Sequence, residues 1–289
     1  MFKHLIFAFV FFISPTLTRA QVSSFSINEN IINKKYNEVC FPSTHNSFNY
    51  LIGPKQFIYP NQRYDIPQQL KDGIRGFMID IHSYNGLNIA KRKQKEVDVF
   101  HQFALLGYEP LGAILNYFFD FLEQHPSEII SIIFDCTVED SEKVISIFEK
   151  HPIYKYLFHK NTDAEWPTIA KMQIQNQRLV VFTHCNSQSD WYLNQDQFCF
   201  ENDYNNHSAA DYQCNIIRGD TSKSVFIMNH FLYHFLNRKR VNSNTNEYAS
   251  LMWHANYCQK KTGHIPNFLT VDWYDKGALF RVVNELNSR

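Results

Sequence analysis

The chain of 289 residues has no excess of charge of either sign: 28 Lys plus Arg face 28 Asp plus Glu. Without a basic stripe, nucleic acid is not expected as a partner. No CxxC pair occurs among the six cysteines, which argues against a zinc knuckle or a thioredoxin-like redox motif. There is no GxSxG elbow and no HExxH, so the serine-hydrolase and zincin routes lack their usual carriers. A Walker loop and a GxGxxG with a suitable acidic residue after it are missing too, which leaves nucleotide binding unsupported. Internal repeats and low-complexity tracts are absent. Beyond residue 20 no stretch is long and apolar enough to span a bilayer.

The first twenty residues are different. Lys3 precedes an apolar core from Leu5 to Ile13, Pro15 breaks it, and Thr18-Arg19-Ala20 places small residues where a signal peptidase reads. This predicts a cleavable secretory signal over 1–20 and a secreted or periplasmic chain. Residues 21–289 then form one domain, close to the roughly 250 residues of a single α/β barrel. An exported chain permits disulfides without requiring them, and six cysteines allow 15 pairings among which sequence does not choose. Cys136 sits inside an apolar strand and is expected as a buried free thiol.

Short apolar runs alternate with helical stretches. Residues 73–82, 97–102, 128–135, 178–184, 224–230 and 267–273 read as strands. Residues 108–126, 137–150 and 278–287 read as helices, with a shorter helical piece in 166–177 that starts near Pro167. Such alternation implies a parallel sheet with helices outside. The strands share an ending. They stop at Asp80 and His82, His101, Asp135, His184, Asn229 and His230, and Asp272. The polar run Ser43-Thr44-His45-Asn46-Ser47 gives one more such end. In an α/β barrel the C-terminal strand ends carry the chemistry, so these side chains are expected to face one mouth. Two histidines with carboxylates there suit general acid/base work, in which a carboxylate on the far nitrogen of an imidazole fixes its tautomer.

The motifs PSTHNSF (42–48), QLKDGIRGFMIDIH (69–82), VFH (99–101), FLEQHPSEIISIIFD (121–135), WPTIAKMQIQNQRLVVFT (166–183), FIMNHF (226–231) and PNFLTVDWYDKGAL (266–279) occur in this order. They resemble the phosphatidylinositol-specific phospholipase C X-domain superfamily, in particular its secreted single-domain members. The resemblance implies a distorted TIM-type (β/α) barrel and a phosphoric diester hydrolase acting on phosphatidylinositol-type lipids at a membrane surface. It implies His45 as general base, His101 as general acid and Asp272 as the carboxylate that orients His45. It also places Asn46, Asp80 and Asp135 on three positions of a calcium site. Met78 stands where animal members carry a fourth ligand, so calcium is expected in an incomplete protein shell. Metal-independent bacterial members have an arginine at the place of Asp80. Two other readings share the barrel: a phosphodiesterase for another headgroup, such as glycerophosphodiesters or sphingomyelin, and a non-catalytic barrel that binds inositol phosphates or membranes.

Some residues are expected to be structural. Arg75 suits an ion pair, and Trp273 and Tyr274 suit packing. His82, His184 and His230 are expected as hydrogen-bonded rim or core groups. The apolar segment 103–110 is a candidate lipid-contacting loop, and Asn206-His207-Ser208 fits a glycosylation sequon.

Overall fold

The computed structural model describes residues 24–54, 59–83, 97–101, 107–138, 141–161, 164–233 and 245–289. The expected signal segment 1–20 lies outside them, as does the first half of the 103–110 segment. No helix among the described residues is long and apolar enough to cross a membrane.

Eight parallel strands make the frame. In spatial order they are β10 (Cys199–Asn202), β12 (Val225–Asn229), β13 (Phe268–Val271), β1 (Phe41–Thr44), β4 (Gly76–Ser83), β7 (Ile130–Cys136), β8 (Leu179–Thr183) and β9 (Tyr192–Asn194). The antiparallel strand β11 (Ile216–Arg218) borders β10, and β5 (Val97–Val99) and β6 (Glu109–Pro110) extend the mouth end of β4. A small parallel pair, β2 (Tyr50–Ile52) and β3 (Gln62–Tyr64), lies apart. The sheet runs from β11 to β9, so among the described residues no ladder closes the barrel between β9 and β10. This is the distorted barrel that the resemblance implies, built from the parallel strands that the sequence pattern predicts.

The alternation of side chains explains the layers. Along β4, Phe77, Ile79 and Ile81 are fully buried, and Phe77 meets Phe118 of α2 (Leu111–Gln124) edge-on at 4.9 Å. Met78 and Asp80, in the other phase, face the barrel interior. In β7, Phe134 meets Phe148 of α3 (Ser141–Lys150), while Ile133 and Asp135 face inward. Helix α1 (Ile66–Asp72) starts where Asp65 accepts a hydrogen bond from Gln68 N and ends at Gly73 in the left-handed region. Helix α4 (Ile169–Ile174) starts at Thr168, which caps Lys171 N, and α5 (Gln195–Phe198) bridges β9 and β10. The helix α6 (Tyr248–Thr262) packs beside α7 (Leu279–Asn287). The Asn287 amide then locks the barrel floor, accepting from Cys40 N and donating to Cys40 O, both at 2.8 Å.

Two cysteine results differ in kind. Cys136, expected as a free thiol, is bonded to Cys185, and Cys214 is bonded to Cys258. The reason is position. Cys136 closes β7 at the mouth and is only partly buried. The β7–β8 register pairs Phe134 with Thr183, so two residues further along Cys136 meets Cys185, with Cα atoms 5.5 Å apart. Cys40 and Cys199 are the buried free thiols.

Arg75 is structural, as expected. Its Nε lies 2.7 Å from Glu128 Oε2, its Nη1 donates to the carbonyls of Leu70 and Ile74, and only 4% of the residue is exposed. The sequon asparagine, Asn206, is buried, and its Nδ2 donates to Asp203 O. The folded chain therefore does not present this nitrogen for glycosylation.

Candidate active site

The strand ends meet in one cavity of about 830 Å³, counted out to its opening on solvent. All six residues expected as catalytic or metal-binding line it: His45, Asn46, Asp80, His101, Asp135 and Asp272.

The polar run after β1 builds the first part. His45 N donates to Val271 O, and Ser47 N donates to Met78 O, so the turn is stitched to both neighbouring strands. Gln62 Nε2 donates to the carbonyls of His45 and Val271. Asn46 adopts φ 45°, a left-handed conformation that asparagine tolerates better than most residues. The turn holds the His45 ring flat against Phe231, with centroids 3.9 Å apart and planes 1° from parallel.

His45 Nδ1 lies 2.9 Å from Asp272 Oδ1, and Asp272 is 1% exposed. With that nitrogen donating to the carboxylate, Nε2 is left as the basic atom. Asn61 Nδ2 lies 3.1 and 3.0 Å from the two Asp272 oxygens and holds the carboxylate in plane. Asn61 is a positioning residue that the sequence does not advertise. It lies between β2 and β3, far in sequence from both partners, and no motif marks it.

The second histidine repeats the pattern. His101 Nδ1 lies 3.0 Å from Asp80 Oδ2, and the Asn46 amide lies 3.2 Å from the same nitrogen. His82 supports this from behind. Its Nε2 donates to Phe100 O at 2.9 Å, its ring stacks on Phe100, and its Nδ1 accepts from Thr137 Oγ1. His82 therefore fixes the segment that ends in His101 and does not itself line the cavity.

Asp80 and Asp135 are register partners on β4 and β7, so their side chains share a face. Loss of bulk water in the barrel mouth, then the Asp80 charge, push the Asp135 carboxyl up from its ordinary value, while Arg218 and His45 pull it down. Asp135 accepts no hydrogen bond among the described residues.

The far wall holds Glu201, Arg218, His184 and Asn229. Glu201 is 2% exposed. It receives Asn229 Nδ2 at 2.7 Å on one oxygen and Arg218 Nη1 at 3.2 Å on the other. Arg218 Nη1 also donates to His184 Nε2 at 2.7 Å. Burial first, then the Arg218 charge, bring His184 down to about 4, so it stays a neutral acceptor. His230 is fully buried against His254 and Tyr212 and belongs to the core. Trp273 and Tyr274 are packed rather than presented to the cavity.

Gly219 shapes this wall. It has φ 63°, and a Cβ there would stand 2.3 Å from Cys199 O. Gly219→Ala is expected to destabilise the chain by about 2 kcal/mol, read as a lower urea midpoint at unchanged slope.

The family model PI-PLC X 1 matches residues 31–287. The chain belongs to the PI-PLC X family. A PI-PLC X domain-containing protein of Arabidopsis thaliana is 26% identical over 94% of this chain and 67% of its own length. An uncharacterized secreted protein of Arthroderma benhamiae is 22% identical over 88% of this chain and 63% of its own length, so the chain spans about two thirds of these relatives. Among solved structures, the phosphatidylinositol-specific phospholipase C of Listeria monocytogenes superposes with a TM-score of 0.59 at 15% identity, over 92% of this chain and 96% of that one. A double mutant of the Staphylococcus aureus enzyme gives 0.59 at 16%, over 90% and 95%. The fold is that of the bacterial PI-PLC barrels. In this chain the Asp–His pairs lie at the mouth of the barrel, the end at which α/β barrels in general carry their sites.

Proposed function

We propose that the chain is a phospholipase C-type phosphodiesterase that cleaves phosphatidylinositol-type lipids. The observation that carries this reading is the pair of histidines in one cavity, each held through Nδ1 by its own carboxylate. His45 Nε2 removes the proton from the inositol 2-hydroxyl. That oxygen bonds to the adjacent phosphorus, the bond from phosphorus to the diacylglycerol oxygen breaks, and His101 protonates the leaving oxygen. Asp272 stabilises the imidazolium formed at His45. The products are a cyclic inositol phosphate and diacylglycerol.

Asn46, Asp80 and Asp135 suit a hard cation in part. Asp135 accepts no hydrogen bond among the described residues and sits beside a second carboxylate, an arrangement that a cation relieves. Asp80 Oδ2 and the Asn46 amide are shared with His101, and Met78 offers no oxygen. We assign calcium to these three residues, with water completing its shell. When bound it supplies positive charge to the phosphate oxygens.

The substrate is met at a membrane surface. Tyr204 and Tyr233 line the cavity and are 39% and 45% exposed, and Leu51 and Ile52 on β2 are 44% and 49% exposed. Two disulfides, the apolar first twenty residues and a relative named as a secreted protein support export from the cell.

The test is phosphorus NMR of phosphatidylinositol vesicles incubated with the purified chain, with calcium and with a chelator. A cyclic inositol phosphate is expected, at a rate at least tenfold higher with calcium. Equal rates in chelator remove calcium from the site. Turnover of choline lipids with none of inositol lipids overturns the substrate assignment.

A further inference from the structure

We infer that Arg218, on the short antiparallel strand β11, is the protein's own cation for the substrate phosphate. This deepens the phosphodiesterase reading and rests on it.

The cavity has a charge problem. Four carboxylates line it, Asp80, Asp135, Glu201 and Asp272, and Arg218 is the one Lys or Arg among its described lining residues. A phosphodiester brings a further negative charge into this space. At short range and in reduced dielectric, that charge needs a fixed positive partner. The resemblance puts an arginine of metal-independent relatives at the place of Asp80, so the charge is missing from β4. Here it comes from β11.

The guanidinium is built for the task. Glu201 and Arg218 are register partners, which puts both side chains on one face of the β10–β11 ladder. Nη1 is used up by His184 Nε2 and Glu201 Oε2. Nε and Nη2 make no hydrogen bond among the described residues, and the side chain is 33% exposed. Three N–H groups in a planar fork remain, the geometry that suits two phosphate oxygens. The Tyr204 ring lies 5.2 Å beneath the guanidinium and limits its swing. Its place is also right: Arg218 lines the same cavity as His45 and His101. A second observation points to a ligand at this wall. Asn229 is fully buried and lines the cavity, and its Oδ1 has no hydrogen-bond partner. A hydroxyl next to the phosphate on a sugar-like ring would satisfy it.

The experiment is binding in chelator, where no metal assists. Inositol 1-phosphate and myo-inositol are titrated into the full chain by calorimetry. The wild type is expected to prefer the phosphate by at least tenfold. Arg218→Met leaves Glu201 buried without its partner, so the Arg218→Met/Glu201→Gln double variant is measured beside it. In the double variant the preference is expected to fall within twofold of unity, with myo-inositol affinity within twofold of wild type. A preference that persists in the double variant overturns the inference, as does a wild type with none. Turnover of phosphatidylinositol by the same wild-type preparation, returned to calcium, separates the two readings. Turnover without phosphate preference removes Arg218 alone, and preference without turnover removes the enzyme assignment alone.

Discussion

His45→Ala is expected to lower turnover of phosphatidylinositol by about a thousandfold, and His101→Ala by a similar factor, each in the range of a lost general acid or base. The double variant is expected to fall little further, because two groups that act in one step are not additive. Stability should hardly move. The two side chains are 24% and 22% exposed, and neither fills the core. The profile of rate against pH is the sharper readout. Two groups that must be in opposite protonation states give a bell, and each single variant should remove one limb of it. A His45→Ala or His101→Ala chain with full activity shows that the assigned role is wrong. Asp272→Asn is a control of another kind: the imidazole stays in place but loses the charge that supports its protonated form.

Acid is expected to cost the fold more than any surface substitution. His230 is 0% exposed and burial brings it down to about 4. His254, 2.9 Å away through facing Nδ1 atoms, is also pushed well down, by burial and then by His230. Both rings are therefore neutral in the folded chain, while in the unfolded chain they bind protons near the ordinary value of about 6.5. The unfolded state thus holds more protons between those limits. The stability from this pair is complete above about pH 6.5 and is lost as the pH falls towards 4. For His230 alone the loss amounts to roughly 3 kcal/mol. The carboxyls of Asp135 and Glu201 act in the opposite sense, since both are raised and the folded state holds their protons more tightly. Urea midpoints from pH 7.5 to 4.5, read with the imidazole NMR signals, separate the two contributions. A flat midpoint with His230 titrating normally removes this account.

Much of the barrel was legible because buried parallel strands announce themselves. Residues 128–135 and 178–184 are continuous apolar runs, and each ends in a polar residue where the core ends. Placement of His45, His101, Asp80, Asp135 and Asp272 around one mouth followed from that pattern, since strand ends on the same side of a parallel sheet converge. The wall from β9 to β11 was not legible. These strands are three or four residues long, too short to show a period, and Glu201 and Arg218 sit inside them with their charges turned inward. Helix α6 was passed over for a related reason. Its buried face includes His254 and Cys258 while Trp253 is 50% exposed, so its hydrophobic pattern is blurred. Cys136 was misjudged because its neighbours are apolar. Register, which is invisible from one strand alone, decided its partner. Arg75 is kept from the cavity by its depth along the chain: it precedes β4 at the floor, whereas Arg218 pairs with Glu201 and lines the cavity.

The disulfide from Cys214 to Cys258 gives β11 a dependence that the other barrel strands do not share. β11 is an edge strand with a single ladder, to β10, and the covalent tie to α6 lies four residues before Arg218. A thiol-rich compartment removes that tie and leaves three residues of ladder to keep the guanidinium in place. The cavity's positive charge is then only as firmly seated as the oxidation state of one cysteine pair.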